Sequence, residues 1–201
     1  MKRILSLTAV AALVFTTVAS AQLLNFPVDV NPHHGTGVAV AGLFGKGLND
    51  NSGKYTSFGA GARIGFGMIN IAAGVASTNL QPESKIDFGA NAEFVFASQA
   101  MLAVSIFAGF GTASDIGTTI PLGLGISVAP SPQFSIWAAP NYTIFSPSGT
   151  GSSVSDLGMS GGLRVSLPMG LGFGASIGWT NSDFTPVTFG GTVGWRFGTG
   201  G

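Results

Sequence analysis

The chain has 201 residues, no cysteine, eight basic and eight acidic residues, and only 8% charged residues in all. Soluble domains carry roughly a quarter Asp, Glu, Lys and Arg, so a water-exposed globule with this composition and a mean hydropathy of +0.47 would tend to precipitate. Disulfides, thiolate metal sites and a cysteine nucleophile are excluded, and the charge balance offers no basic patch to a nucleic acid.

Lys2 and Arg3 precede an apolar stretch over 4–18, and Ala19-Ser20-Ala21 supplies small residues at the cleavage spacing. This is the pattern of a secretory signal peptide over 1–21, leaving Gln22 first in the mature chain. Removing Lys2 and Arg3 leaves acidic residues in slight excess. Residues 22–34 alternate poorly and contain Pro27 and Pro32, so they read as an N-terminal lead-in to the domain at 35–201.

From there apolar residues recur at every second position, the period of a strand with two unlike faces. Ten such segments can be marked, at 36–45, 55–67, 69–77, 86–97, 101–111, 118–128, 134–145, 156–167, 171–179 and 187–197. Most match the roughly 9–11 residues a tilted strand needs to cross a bilayer. Beyond the signal peptide no apolar run approaches the roughly 18 residues of a helical span. Strands that cross hydrocarbon must close on themselves, because an open edge leaves backbone groups unsatisfied. The expected fold is therefore all-β: an up-and-down antiparallel transmembrane β-barrel of ten strands, or of eight if two weak segments merge or leave the membrane.

The connections support this. Short turns near Gly67, Gln99, Pro132 and Met169 alternate with stretches expected to be longer polar loops, at 46–54, 78–85, 112–117, 146–155 and 180–186. Such barrels place short turns in the periplasm and long loops outside. The rhythm puts both termini in the periplasm. It also puts Lys46, Asp50, Lys54, Glu83, Lys85, Asp115 and Asp183 in external water.

One face carries residues such as Phe58, Ile64, Phe88, Phe94, Ile106, Leu122, Leu124, Ile136, Leu163 and Trp179 and is assigned to lipid. The other is mainly Gly, Ala, Ser, Thr and Asn. Five ionisable residues fall on this inner face: Arg63, Asp87, Glu93, Arg164 and Arg196. Two readings stay open for them. Either the two acids neutralise the arginines in a packing network, or the group lines a polar constriction that selects small solutes, anions included.

With its signal peptide, its ten alternating segments and a last strand ending Gly194-Trp195-Arg196-Phe197, the chain resembles small, porin-like outer-membrane β-barrel proteins of bacteria. The resemblance implies residence in the outer membrane and contact with its lipid. It also implies handling by the barrel-assembly machinery, with Trp195 and Phe197 as the assembly signal, and porin-like passage of small polar solutes through a narrow lumen. A filled lumen that does not conduct, in a structural or surface-contact barrel, is the alternative. Gly198-Thr199-Gly200-Gly201 after the final Phe departs from the assembly pattern.

No enzyme, metal or cofactor is expected. His33 and His34 are the only histidines and precede the first strand, and adjacent side chains on extended backbone point apart. The acids Asp50, Glu83, Asp115, Asp156 and Asp183 are spread over separate connections. Glycine-rich stretches such as Gly59-Ala60-Gly61 lack the Lys-Ser/Thr and the helix of a phosphate loop. The apolar start of the lead-in, Leu23-Leu24-Asn25-Phe26-Pro27-Val28, leaves open whether it is a plain tail or a plug in the lower mouth.

Overall fold

The computed structural model describes residues 32–34, 36–47, 55–80, 83–181 and 187–197. The expected signal peptide over 1–21, lead-in residues 22–31, Asp50, Lys54, Asp183 and the four residues after Phe197 lie outside the described residues.

Ten strands form: β1 (Gly37–Gly47), β2 (Thr56–Phe66), β3 (Ile69–Leu80), β4 (Glu83–Ser98), β5 (Leu102–Ala113), β6 (Gly117–Ser131), β7 (Phe134–Pro147), β8 (Val154–Ser166), β9 (Leu171–Thr180) and β10 (Val187–Phe197). Each pairs antiparallel with its sequence neighbours, and β1 pairs with β10, closing the sheet into a barrel. A short 3-10 turn at Pro32–His34 precedes β1.

Alternation decides the two faces. Along β4, residues 86, 88, 90, 92, 94 and 96 are exposed while 87, 89, 91, 93 and 95 are buried. The exposed set around the barrel is apolar, with Phe58, Phe66, Phe88, Phe94, Ile106, Leu122, Leu124, Ile136, Leu163 and Trp179 among its members. Water would not tolerate a continuous apolar band of this kind, whereas acyl chains match it. Phe44 and Phe58 stand opposite each other on this face, ring centroids 5.1 Å apart and tilted 51°, a cross-strand aromatic pair.

Two expected long loops are in fact tight connections. β3 runs to Leu80 and β4 begins at Glu83, while β5 runs to Ala113 and β6 begins at Gly117. Thr78, Asn79, Glu83, Ser84, Lys85 and Thr112, which suggested loops, lie instead on strands extended past the apolar band. There the outer face is polar and exposed, as at Ser77 and Asn79, while the inner face stays packed, as at Thr78 and Ala113, so the ladder persists without apolar alternation. Asp115 makes the second of these turns at φ 63°, a backbone conformation that Asp adopts more readily than most residues. The barrel is therefore taller on its β3–β7 side, where β4 has 16 residues, than at β9, which has 10. The short-turn end carries two ladder irregularities, between Val95 and Ala97 in β4 and between Val128 and Ser131 in β6.

Candidate functional site

The inner face has three levels. At the loop end Asp87 is buried and accepts a hydrogen bond from the Thr78 hydroxyl. Above it Lys85, expected in a loop, sits at an inward strand position. Its Nζ lies 2.8 Å from Glu83 and 3.3 Å from Asp115. Asp87 thus takes a bond from a neutral hydroxyl rather than from one of the arginines.

The middle level is a waist. Glu93 is 3% exposed and collects bonds from three other strands. Its Oε2 accepts from Arg63 Nη2 at 2.6 Å and from Asn70 Nδ2 at 3.3 Å; its Oε1 accepts from Ser105 Oγ at 2.7 Å. The register explains the convergence. Asn70 stands directly opposite Glu93, Ser105 opposite Val95 and Arg63 opposite Ala72, so each donor lies within one inward step of the carboxylate. A buried carboxylate is tolerable only with this kind of pairing.

Beside the polar network stand two aromatic side chains that the sequence reading did not single out. Phe107 lies opposite Glu93 on β5 and is 4% exposed; Trp137 on β7 is 5% exposed; both join Ala139 in one buried cluster. Their signal was present as parity. Phe107 falls between outward Ile106 and Ala108, and Trp137 between outward Ile136 and Ala138. Glycine on the neighbouring strand makes room for Phe107, since Gly123 of β6 stands directly opposite it. A Cβ at Gly123 would meet the Pro140 carbonyl and the Phe107 ring, the latter at 2.7 Å. Gly123→Ala is expected to destabilise the barrel by about 1–3 kcal/mol through overpacking, read as a lower urea midpoint. An unchanged midpoint would mean that Phe107 is not held against this wall.

Around the rest of the waist β9, β10, β1 and β2 present Gly172, Thr192, Gly194, Ala39, Ala41 and Gly61. With Arg63 and Arg164 these border a residual cavity of about 80 Å³, room for a few waters.

The third level is a vestibule of about 330 Å³ at the short-turn end, lined by His33, Ser131, Gln133, Arg164, Ser166 and Arg196 among others. Arg164 extends from β8 over Gly172 of β9; a Cβ added there would come within 3.7 Å of its guanidinium. Arg196 donates to the Thr36 carbonyl at 3.1 Å. Ala39 of β1 stands opposite both Arg196 and Arg63, so the three arginines border one small space. The five inner-face charges are thus divided: Arg63 and Glu93 pair at the waist, Asp87 is apart, and Arg164 and Arg196 share the mouth.

The histidine pair was placed outside the barrel by the sequence reading. The structure brings His33 into its mouth, where Nδ1 lies 2.7 Å from the buried Ser127 Oγ. Burial holds the His33 pKa below its usual 6.5, with a bond to the Gln99 backbone opposing. Under the turn lie the Ser127 hydroxyl of β6 and the Gln99 backbone in the β4–β5 connection, and the charged groups bordering the same vestibule are Arg164 and Arg196. Both disfavour a further cation. The neutral ring is the docked form, so its contribution is complete above pH 6.5 and declines as pH falls below that value. Proteolytic cleavage after the turn is expected to speed up between pH 7.5 and 5 in the parent but not in His33→Phe. Equal pH responses in both would assign the effect elsewhere.

Trp195 and Phe197 are exposed on the outer face at the end of β10, where it meets β1. Among the described residues no three His, Cys, Asp or Glu gather as a metal-binding group would require.

No protein-family model matches the chain, and no curated protein matches it. Among solved structures it is similar to the KdgM porin, with a TM-score of 0.48 and 8% identity over 80% of this chain and 99% of that one. It is also similar to the translocator domain of the autotransporter NalP from Neisseria meningitidis, with a TM-score of 0.44 and 12% identity over 98% and 95%. The outer-membrane protein Ail of Yersinia pestis gives a TM-score of 0.42 and 13% identity over 81% and 100%. Each is a likeness of barrel architecture.

Proposed function

We propose that the protein resides in a bacterial outer membrane as a barrel with a shut waist, a structural or surface-contact element rather than an open pore. The observation that carries this is burial at the waist. Phe107, Trp137, Glu93 and Ser105 are all at most 5% exposed, so the β4, β5 and β7 side of the waist is filled by packed side chains. Residence in lipid is supported by the continuous exposed apolar band and the closed sheet, which together leave no backbone edge in hydrocarbon. The working surfaces are then the two ends, including the polar connection at 148–153 between β7 and β8.

Porin-like passage of small polar solutes is the second reading. It is favoured by the small residues on the β9–β10–β1–β2 wall and by the vestibule beneath them. The two readings separate in proteoliposomes. The shut barrel should copurify with outer membranes, need detergent for extraction, show heat-modifiable migration, and leave liposomes impermeable to small sugars. Swelling in those sugars, with the folded band intact, favours the pore.

A further inference from the structure

Among the described residues the lipid-facing surface carries a single cation. Arg63, Lys85, Arg164 and Arg196 take inward positions on their strands, whereas Lys46 belongs to the outward set of β1 and is exposed. It forms no ion pair among the described residues. Register sets it in a polar row. Thr56 stands opposite Lys46, Asn79 opposite Thr56 and Ser84 opposite Asn79, so these outward side chains lie side by side across β1 to β4 at the long-loop end. The aromatic pair Phe44 and Phe58 lies one outward step nearer the middle of the barrel. Aromatic rings with polar groups beyond them mark the level at which such a barrel meets lipid headgroups.

On the membrane side of the pair the wall is recessed. Gly42, Ala60, Ala62 and Ala73 floor a shallow outward groove of about 890 Å³, with Phe88 at one side and Trp195 at the other. Gly191, opposite Phe44 on β10, has no side chain to bar the way from Lys46 past the rings. A lysine alone on this face needs no ligand, because its stem can run along apolar surface to water. Here hydroxyl and amide groups share its row and a groove opens below it, which are the head and tail contacts of a lipid site.

We propose that this surface holds one phosphate-bearing lipid of the outer leaflet. Lys46 donates a charge-assisted hydrogen bond to the phosphate, the Thr56 hydroxyl beside it donates a second, and Asn79 and Ser84 face the rest of the headgroup. An acyl chain lies in the groove over Gly42 and Ala60. The proposal rests on residence of the barrel in the outer membrane and holds whether or not the waist conducts.

The test uses the folded, full-length barrel in a non-ionic detergent, with dimyristoyl phosphatidic acid as the probe and the lipid-bound fraction in native mass spectrometry as the readout. The parent should retain this lipid in preference to dimyristoyl phosphatidylcholine, whose phosphate is covered by its own cation. Lys46→Gln should weaken retention about five-fold, the loss expected from one lysine–headgroup attraction. Gly42→Leu should weaken it too, by filling the groove. A Cβ at Gly42 meets only the Val193 carbonyl oxygen, at 3.9 Å, so this variant should fold, and heat-modifiable migration checks that it does. Equal retention by the parent and either folded variant overturns the proposal. Displacement of the lipid by inorganic phosphate makes the site one for free anions and overturns it as well. Extraction of the parent without detergent would instead sink residence in the membrane, so the two failures are told apart.

Discussion

Replacing Glu93 with alanine is expected to destabilise the barrel by about 3–5 kcal/mol, the effect of removing one member of a buried ion pair. Three donors on three strands, Arg63, Asn70 and Ser105, lose their shared acceptor at once. The Arg63 guanidinium keeps its desolvation while losing the carboxylate that balanced it. Paired replacement by apolar residues, Arg63→Met with Glu93→Leu, should recover most of the loss, because it removes both charges together. Urea unfolding in detergent, followed by gel migration, measures both. If the single and double variants unfold at the same midpoint, the pair is not what holds the waist.

The second large effect is a gain of permeability. Phe107→Ala with Trp137→Ala removes both aromatic side chains from the waist and should turn an impermeable barrel into one that lets small sugars swell liposomes. The parent and the variant differ in nothing else that faces the lumen. Two aromatic truncations in a core commonly remove about 3–5 kcal/mol each, so Trp137→Ala alone serves as a milder version, and the heat-modifiable band confirms folding in each case. Folded variants that stay impermeable would show that the polar network by itself shuts the lumen.

These two expectations concern residues of very different legibility. The strands were readable because lipid on one side and a crowded lumen on the other force a strict period of two. Phe88 and Phe94, or Leu122 and Leu124, reveal a face without any tertiary knowledge. Closure followed from the even strand number and from the cost of an open edge in hydrocarbon. Phe107 and Trp137 obey the same parity, yet each sits in an apolar run, Ile106-Phe107-Ala108 and Ile136-Trp137-Ala138. In such a run hydrophobicity alone does not say which member turns inward.

Other features depend on quantities that a single strand does not carry. That Arg63 finds Glu93 while Asp87 takes only a hydroxyl is a matter of register between β2, β3 and β4. The extension of β3 to β6 beyond the apolar band escaped notice because polar residues such as Thr78, Asn79 and Thr112 look like loop when judged by composition. Beyond the lipid, antiparallel pairing continues without an apolar face. The docking of His33 depends on the Pro32–His34 turn packing against β4, β5 and β6, and nothing in the dipeptide His33-His34 announces that.

Current across a planar lipid bilayer is the most direct test of the shut waist. Refolded parent protein, shown by heat-modifiable migration to be inserted and intact, should give no steady unitary current in simple salt under modest voltage. A stable, reproducible single-channel conductance from that same preparation would contradict the account.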